Sequence, residues 1–378
     1  MRYRALTWDH PRGYNALAAA AAQLDAARDG LAIEWDKQPL EGFETHPIAD
    51  LCARYDLVVL DHPHVGEAVA AGCLQPLESL FSTDELTQLA RDTIGPSLAS
   101  YHYQGRHWAL PLDAATQVMA YRADLLDGPP PATWGEVRAL RKPVALSLAG
   151  PHAALSFQSI ATAFADPPAE ADPERFIGEA AGPRVLDLMA DLAARTPASV
   201  KHLNPIGLLG HMAASDTVAL CPLVYGYVNY AAPASGQALA FAEAPRAEAG
   251  GRPGSTLGGT GIGISTRAEV TPALLDHLRW LMSAEAQEVF VPAHDGQPSR
   301  RSAWHGDAVN TRWGNFYRNT AETLERAFVR PRHDGAIAFQ TAASALIRDG
   351  LAEGRPHRAI LDALQQAYAK SRTPGTER

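Results

Sequence analysis

From Tyr3 to Gly72, short apolar runs of strand character alternate with stretches of helical spacing. Tyr3–Trp8 reads as a strand, and Asn15–Arg28 as a helix stopped by Gly30, a residue suited to the left-handed turn at a helix end. Leu31–Trp35 reads as a second strand and His46–Arg54 as a second helix. Tyr55–Leu60 is nearly continuous in apolar residues, as expected of a strand buried on both faces of a parallel sheet. The helix Val65–Ala71 follows and stops at Gly72. This alternation predicts an open α/β sheet, which binds ligands at the carboxyl ends of its strands.

The pattern continues with variation. Trp108–Leu112 is a strand containing Pro111, which places it at an edge or a crossover, and Thr116–Arg122 carries it on. Thr133–Leu140 is a helix opened by a capping box, Thr133 with Glu136. Val144–Leu148 and Val218–Val224 read as strands, 160–215 as largely helical, Gly263–Ser265 as the close of a strand, and Leu274–Ser283 as an amphipathic helix. The tail Ala321–Lys370 is helical, with breaks near Pro331–Gly335 and Gly350–Pro356. Ala244–Gly254 reads as a surface loop.

A chain of 378 residues is too long for one ordinary core and fits two lobes. A formal net charge of −9 argues against a nucleic-acid partner. No apolar run is long enough for a membrane span, so the chain is not membrane-embedded. Met1–Ala5 has no signal-peptide pattern, which favours the cytoplasm if Met1 is the native start and a periplasmic or extracellular place otherwise. Cys52, Cys73 and Cys221 are far apart and read as buried or half-buried thiols, with a single disulfide left open.

Candidate chemistry concentrates in three polar loops that follow strands: Thr7–Tyr14, Asp61–Gly66 and Leu112–Gln117. The first two open helices at one edge of the sheet, where free N–H groups suit an oxyanion or a sugar hydroxyl. Arg12 offers a planar fork for a carboxylate. Asp9, Asp61 and Asp113 can accept hydroxyl hydrogen bonds, and Trp8 and Tyr14 can stack on a sugar face. His10, His62, His64 and Gln117 complete the set. Each also has a structural reading, such as an Asp that merely caps a helix. Histidine beside carboxylate also suits a metal, but no helical ligand pair is present, and His62 and His64 would diverge on an extended chain. No metal or cofactor is therefore expected. No nucleophile elbow or phosphate loop appears, and Leu257–Gly263 departs from a dinucleotide fingerprint because no helix follows it.

Several segments, in order, resemble one family. Tyr55–Gly66 followed by Ala71–Leu77 is similar to its strand, polar loop, glycine and Leu-x-Pro-Leu sink. Gly105-Arg-His-Trp-Ala-Leu-Pro111 is similar to its hinge strand, and Tyr121–Leu126 with Pro131–Trp134 to its Y-N-x-D-L-L and P-x-T-W segment. Leu257–Ser265, and Leu281–Gln287 with Gly296–Pro298, are similar to two further segments. The chain resembles the extracellular solute-binding proteins of family 1, the maltose-binding-protein-like components of ABC importers. That resemblance implies the type II periplasmic-binding-protein-like α/β fold, with a ligand cleft between two lobes and a hinge crossed two or three times. One lobe would hold 1–112 and about 262–303; the other, 113–261 and about 304–378. Tyr225, Tyr227, Asn229 and Tyr230 would line the second lobe's edge, and Gly259 and Thr260 would line the cleft near the hinge. The implied function is binding of a small polar ligand, a sugar or sugar acid, by hinge closure, for uptake or sensing. It also implies a monomer with an ABC permease or sensor as partner. The alternative is a cytoplasmic enzyme on the same scaffold, with Asp9, His10, Asp61 and His62 as its acid–base groups.

Overall fold

Proline placement and capping chemistry set the first element boundaries in this computed structural model, which describes residues 1–24, 30–233 and 236–372. The main elements in chain order are β1 (Arg2–Trp8), α1 (Pro11–Ala22), β2 (Ala32–Gln38), α2 (Leu40–Thr45), α3 (Ile48–Cys52), β3 (Leu57–Leu60), α4 (Val65–Ala70) and α5 (Thr83–Asp92). Then come β4 (Leu110–Tyr121), α6 (Trp134–Ala139), α7 (His152–Ala163), α8 (Ala181–Arg195), α9 (Pro205–Ala214) and β5 (Leu220–Tyr225). The last are β6 (Ala240–Ala242), β7 (Leu257–Ile264), α10 (Pro272–Leu281), α11 (Ala336–Ala352) and α12 (His357–Arg372).

Four expectations change. Helix α1 begins at Pro11 rather than Asn15, because proline suits the first helical position and the His10 ring accepts the Arg12 N–H. The helix ends at Ala22, and Arg28 lies outside the described residues. The helix expected over His46–Arg54 is shorter, Ile48–Cys52, and a separate helix, α2, precedes it: the residue before Pro47 is barred from helical geometry, and His46 is extended at ψ 134°. Val144–Leu148 makes only one bridge, Val144 to Leu220, because Leu146 donates its N–H to the Thr196 hydroxyl instead of to a ladder.

The fourth change bears on the site. Leu112–Gln117 is not a loop but the middle of β4, buried from Leu110 to Ala120. A strand buried on both faces shows no alternation, and Pro111, Asp113 and Gln117 within it imitate a polar turn. Pro111 is tolerated because this end of β4 pairs irregularly: Asp113 bridges Pro298, and the Ala114 N–H donates to Gln297.

The chain divides into two compact units, one of 1–115, 258–311 and 332–337, the other of 116–257, 312–331 and 338–378. The chain therefore passes between units at 115/116, 257/258, 311/312, 331/332 and 337/338, more often than the resemblance implied. The extra return has a local cause. Arg332 donates to the carbonyls of Ala99 and Ser100, and the backbone of 332–334 packs directly on Gly66.

In the first unit, β1 pairs in parallel with β2 on one side and β3 on the other, and β7 runs antiparallel to β3. Leu6, Leu51, Val58, Leu60, Val65, Leu74 and Tyr101 form its core beneath α3 and α4. In the second unit the latter half of β4 pairs antiparallel with β5 and β6. Its core includes Phe157, Phe176, Phe339 and Tyr368, whose ring centroids lie 4.9–6.0 Å apart. No described helix is long and apolar enough to cross a membrane.

Gly66 tests the tie between 332–334 and the first unit. A Cβ there would lie 1.9 Å from the Arg332 carbonyl oxygen and 2.5 Å from the His333 carbonyl carbon, so backbone has to move. Gly66→Ala is expected to cost at least the upper end of the about 1–3 kcal/mol typical of overpacking, read as a lower urea midpoint. An unchanged midpoint would show that the tie is slack.

Candidate functional site

The parallel register of β1 and β3 brings Asp9 and Asp61, each following its strand, to the same sheet edge. The antiparallel pairing of Leu60 with Gly261 sets Gly259 and Thr260 beyond that same edge. Most of the expected residues of the first unit thus converge, as carboxyl-end loops do in open sheets.

At their centre is an ion pair. Arg12 Nε donates to Asp113 Oδ2 at 2.9 Å and Nη2 to Oδ1 at 2.5 Å, with both side chains at most 7% exposed. The arginine expected to grip a ligand carboxylate therefore grips one from its own unit. Trp8 lies beneath, its ring 5.6 Å from the guanidinium carbon, and stacks on His10 at 5.1 Å and 7°. Gly259, at φ +86°, meets the pair's backbone: a Cβ there would lie 2.3 Å from the Asp113 carbonyl oxygen, so only glycine fits. Thr260 is buried beside it in sequence.

His10 is pushed down to about 4, by burial first and then by the Arg12 charge, with Asp9 opposing. It is therefore neutral near pH 7. Because its Nδ1 accepts from the Arg12 N–H, its Nε2 carries the proton and is a donor. Asp9 is exposed and pairs with Lys37 at 2.7 Å, and that Lys37 ammonium lies 4.7 Å from the Tyr14 ring. Asp61 caps the following turn, accepting the His62 N–H at 2.9 Å. His62 is fully buried, edge-on to Tyr101 at 6.4 Å. His64 is also buried, its Nδ1 4.0 Å from Glu67, on the helix side of the turn.

The second unit holds a separate polar group. Gln117 is fully buried; its amide oxygen accepts from the Ser159 hydroxyl at 2.6 Å and from the Thr256 hydroxyl at 3.3 Å. The Tyr225 hydroxyl lies 3.3 Å from Thr256 Oγ1 and the same distance from the Leu257 carbonyl oxygen. Asn229 sits in the turn Val228–Tyr230, its side-chain oxygen buried with no protein partner among the described residues. Tyr227 is buried, and the Tyr230 hydroxyl donates to the Ile206 carbonyl at 3.1 Å.

Sequence reasoning missed His152, Ser159, Thr256 and Arg330. His152 is fully buried, edge-on to Tyr225 at 6.0 Å, and is pushed down to about 3 by burial and then by Arg330. Arg330 is 3% exposed and donates to Leu257 O and Gln340 Oε1. One signal was present. Helix α7 is buried on every side yet carries His152, Ser156, Gln158, Ser159 and Thr162, and buried polar groups need partners. Among the described residues no three His, Cys, Asp or Glu side chains gather as metal ligands.

The family model of the bacterial extracellular solute-binding proteins matches residues 18–314. The chain belongs to that family. A search of curated proteins gives no match. Among solved structures, a ribitol complex of an ABC transporter solute-binding protein from Agrobacterium radiobacter K84 is 21% identical, with 98% of each chain covered and a TM-score of 0.78. Maltose-bound MalE3 of T. maritima is 15% identical over 97% of this chain and 98% of that one, with a TM-score of 0.80. A D-mannitol-bound solute-binding protein from Agrobacterium vitis S4 is 15% identical over 98% and 97%, with a TM-score of 0.76. At these identities the structures show the fold, the two-lobed α/β fold of periplasmic solute-binding proteins. The family's extracellular character supports the periplasmic or extracellular placement and lends none to the cytoplasmic one.

Two outcomes follow from the geometry. Removing one partner of a buried ion pair strands the other charge, so Arg12→Met and Asp113→Ala should each cost about 3–5 kcal/mol. The double variant should cost clearly less than their sum, as read by urea unfolding. Additive losses would show that the pair is not coupled. The second outcome concerns pH. The unfolded chain protonates histidine near its ordinary value of about 6.5, whereas native His10 and His152 resist until about 4 and 3. Between those values the unfolded state binds more protons, so stability should rise with pH up to about 6.5 and level off above it. The urea midpoint should be lower at about pH 5 than at pH 7.5, and His152→Gln should flatten the difference. Equal midpoints in the unaltered protein would refute this.

Proposed function

We propose that the protein binds a neutral sugar or polyol, as the ligand-receiving component of an uptake system. The observation that carries this reading is the Arg12–Asp113 pair. A ligand carboxylate arriving at the sheet edge would compete with Asp113 for the fork and face Asp61 as well. Hydroxyl groups meet no such penalty. They can donate to carboxylate oxygens and accept from the Nε2–H of His10, which stays neutral near pH 7. The side-chain oxygen of Asn229 offers the second unit's acceptor. Family membership and the polyol and sugar complexes of similar folds point the same way.

The remaining candidates, Trp8, Tyr14, His62, His64, Gln117, Tyr225, Gly259 and Thr260, are proposed as lining or support for this ligand. Further proposals rest on the family alone. The protein acts outside the cytoplasm as a monomer, hands its ligand to a permease, and draws its two units together on binding.

The experiment is a thermal-shift series against polyols, neutral sugars and the corresponding sugar acids, with recovery of each hit for product analysis. A neutral ligand should raise the melting temperature increasingly with concentration and come back unchanged, while its acid counterpart does little. Stabilisation by acids alone would overturn the charge argument, and a consumed ligand would make this an enzyme. Small-angle scattering with the hit at saturation should show a smaller radius of gyration; an unaltered profile would count against closure.

A further inference from the structure

Cys52 and Cys73 sit on neighbouring pieces of the first unit. Cys52 ends α3 within the apolar core, and Cys73 follows α4 and packs against the same cluster, partly open to solvent. Gly72, at φ +60°, turns the chain sharply between α4 and Cys73, whose N–H then donates to Ala68. The helices are tied at their other ends, where Glu67 of α4 accepts the Ile48 N–H of α3 at 3.2 Å. Both side chains therefore pack in one apolar cluster, near enough for each to bias the ionisation of the other. The bias favours the thiolate of Cys73 and disfavours that of Cys52. Cys221, fully buried in the second unit, has no part in this.

We propose that Cys52 and Cys73 are an oxidisable pair that closes into a disulfide when the protein meets an oxidising compartment. The co-reactant is a disulfide, either a small-molecule one such as oxidised glutathione or the active disulfide of a thiol oxidase. The Cys73 thiolate attacks one sulfur of that disulfide, forming a mixed disulfide and expelling one thiolate. Cys52 then loses its proton and attacks the Cys73 sulfur, expelling the second thiolate. The protein loses two protons and two electrons, and the oxidant gains the electrons as two thiols. The accessible and more acidic thiol attacks first, and the buried one resolves, the usual division of labour in such pairs.

The consequence reaches the candidate site. The segment closed by the bond runs from Cys52 through β3 and Asp61–Gly66 to Cys73. The turn carrying Asp61, His62 and His64 would be clamped on both flanks, reducing the freedom of the unfolded chain and of the turn itself. The proposal stands on packing within the first unit, so it survives or fails independently of the ligand reading.

The test uses the full-length protein, fully reduced, freed of reductant, and exposed to oxidised glutathione. Thiol titration in denaturant should fall from three groups to one. Intact mass should fall by two hydrogens, and a peptide map should join the Cys52 and Cys73 segments. The oxidised form should melt about 5 °C or more above the reduced form. Cys221→Ser should behave the same with no thiol remaining, whereas Cys52→Ser should stop at a glutathione adduct on Cys73. Three thiols after oxidation, or a link that includes Cys221, would overturn the proposal.

Discussion

The first unit is organised around a buried charge pair that has to be made well or not at all. Arg12 and Asp113 are separated by most of the unit's first segment, and neither could be buried alone. Their meeting requires α1 to begin at Pro11, so that Arg12 lies in its first turn. It also requires Asp113 to be held rigidly in β4. The Asp113–Pro298 bridge and the paired hydrogen bonds of Ala114 with Gln297 supply that rigidity. Gly259 lets β7 pass close to the Asp113 carbonyl without a clash. A capped helix start, an irregular strand and a glycine on a second strand therefore all serve one two-pronged contact.

The pair also sets the electrostatics of the sheet edge. A free arginine there would favour anions, and a free aspartate would favour cations. Paired, they leave dipoles and lone pairs. His10 carries the same logic further, since the buried Arg12 charge beside it helps hold it neutral. The pair and His10 thus add hydrogen-bonding groups to the edge without adding net charge.

The alternation of strands and helices up to Gly72, the capping box at Thr133 and the breaks in the C-terminal helices were all legible in the sequence, because each is encoded within a few residues. So was the convergence of Asp9 and Asp61, which follows from two parallel strands. What could not be read was partnership across sequence. Asp113 looked like a loop residue because a fully buried strand has no alternating pattern, and its partner lies 101 residues away. Arg12 looked available for ligand because nothing local contradicts it. Asp61 shows the other side: the plain reading of an aspartate before a helix, as a cap, describes its contact with the His62 N–H. His152 escaped notice because α7 is apolar enough to read as core, and only the wrapping of the second unit turns its polar residues inward.

The second unit repeats the principle with neutral groups. Gln117 follows Asp113 along β4, and it too is spent on its own unit, fixed by Ser159 and Thr256, with Tyr225 reaching the same threonine. Groups held by their own unit have little freedom left to lose when a ligand arrives, so contacts made to them cost less ordering entropy. The same fixing makes them poor targets for alanine scanning. Truncating Gln117 would leave the Ser159 and Thr256 hydroxyls without their shared acceptor, and lost stability would mingle with lost affinity. Asn229 differs in kind: its side-chain oxygen is buried yet lacks a protein partner among the described residues. Substitution at Asn229 therefore costs that oxygen no hydrogen bond within the unit. If the proposed ligand reaches it, Asn229 is the position at which a change in affinity mingles least with a change in stability, and it lies on a short turn after β5.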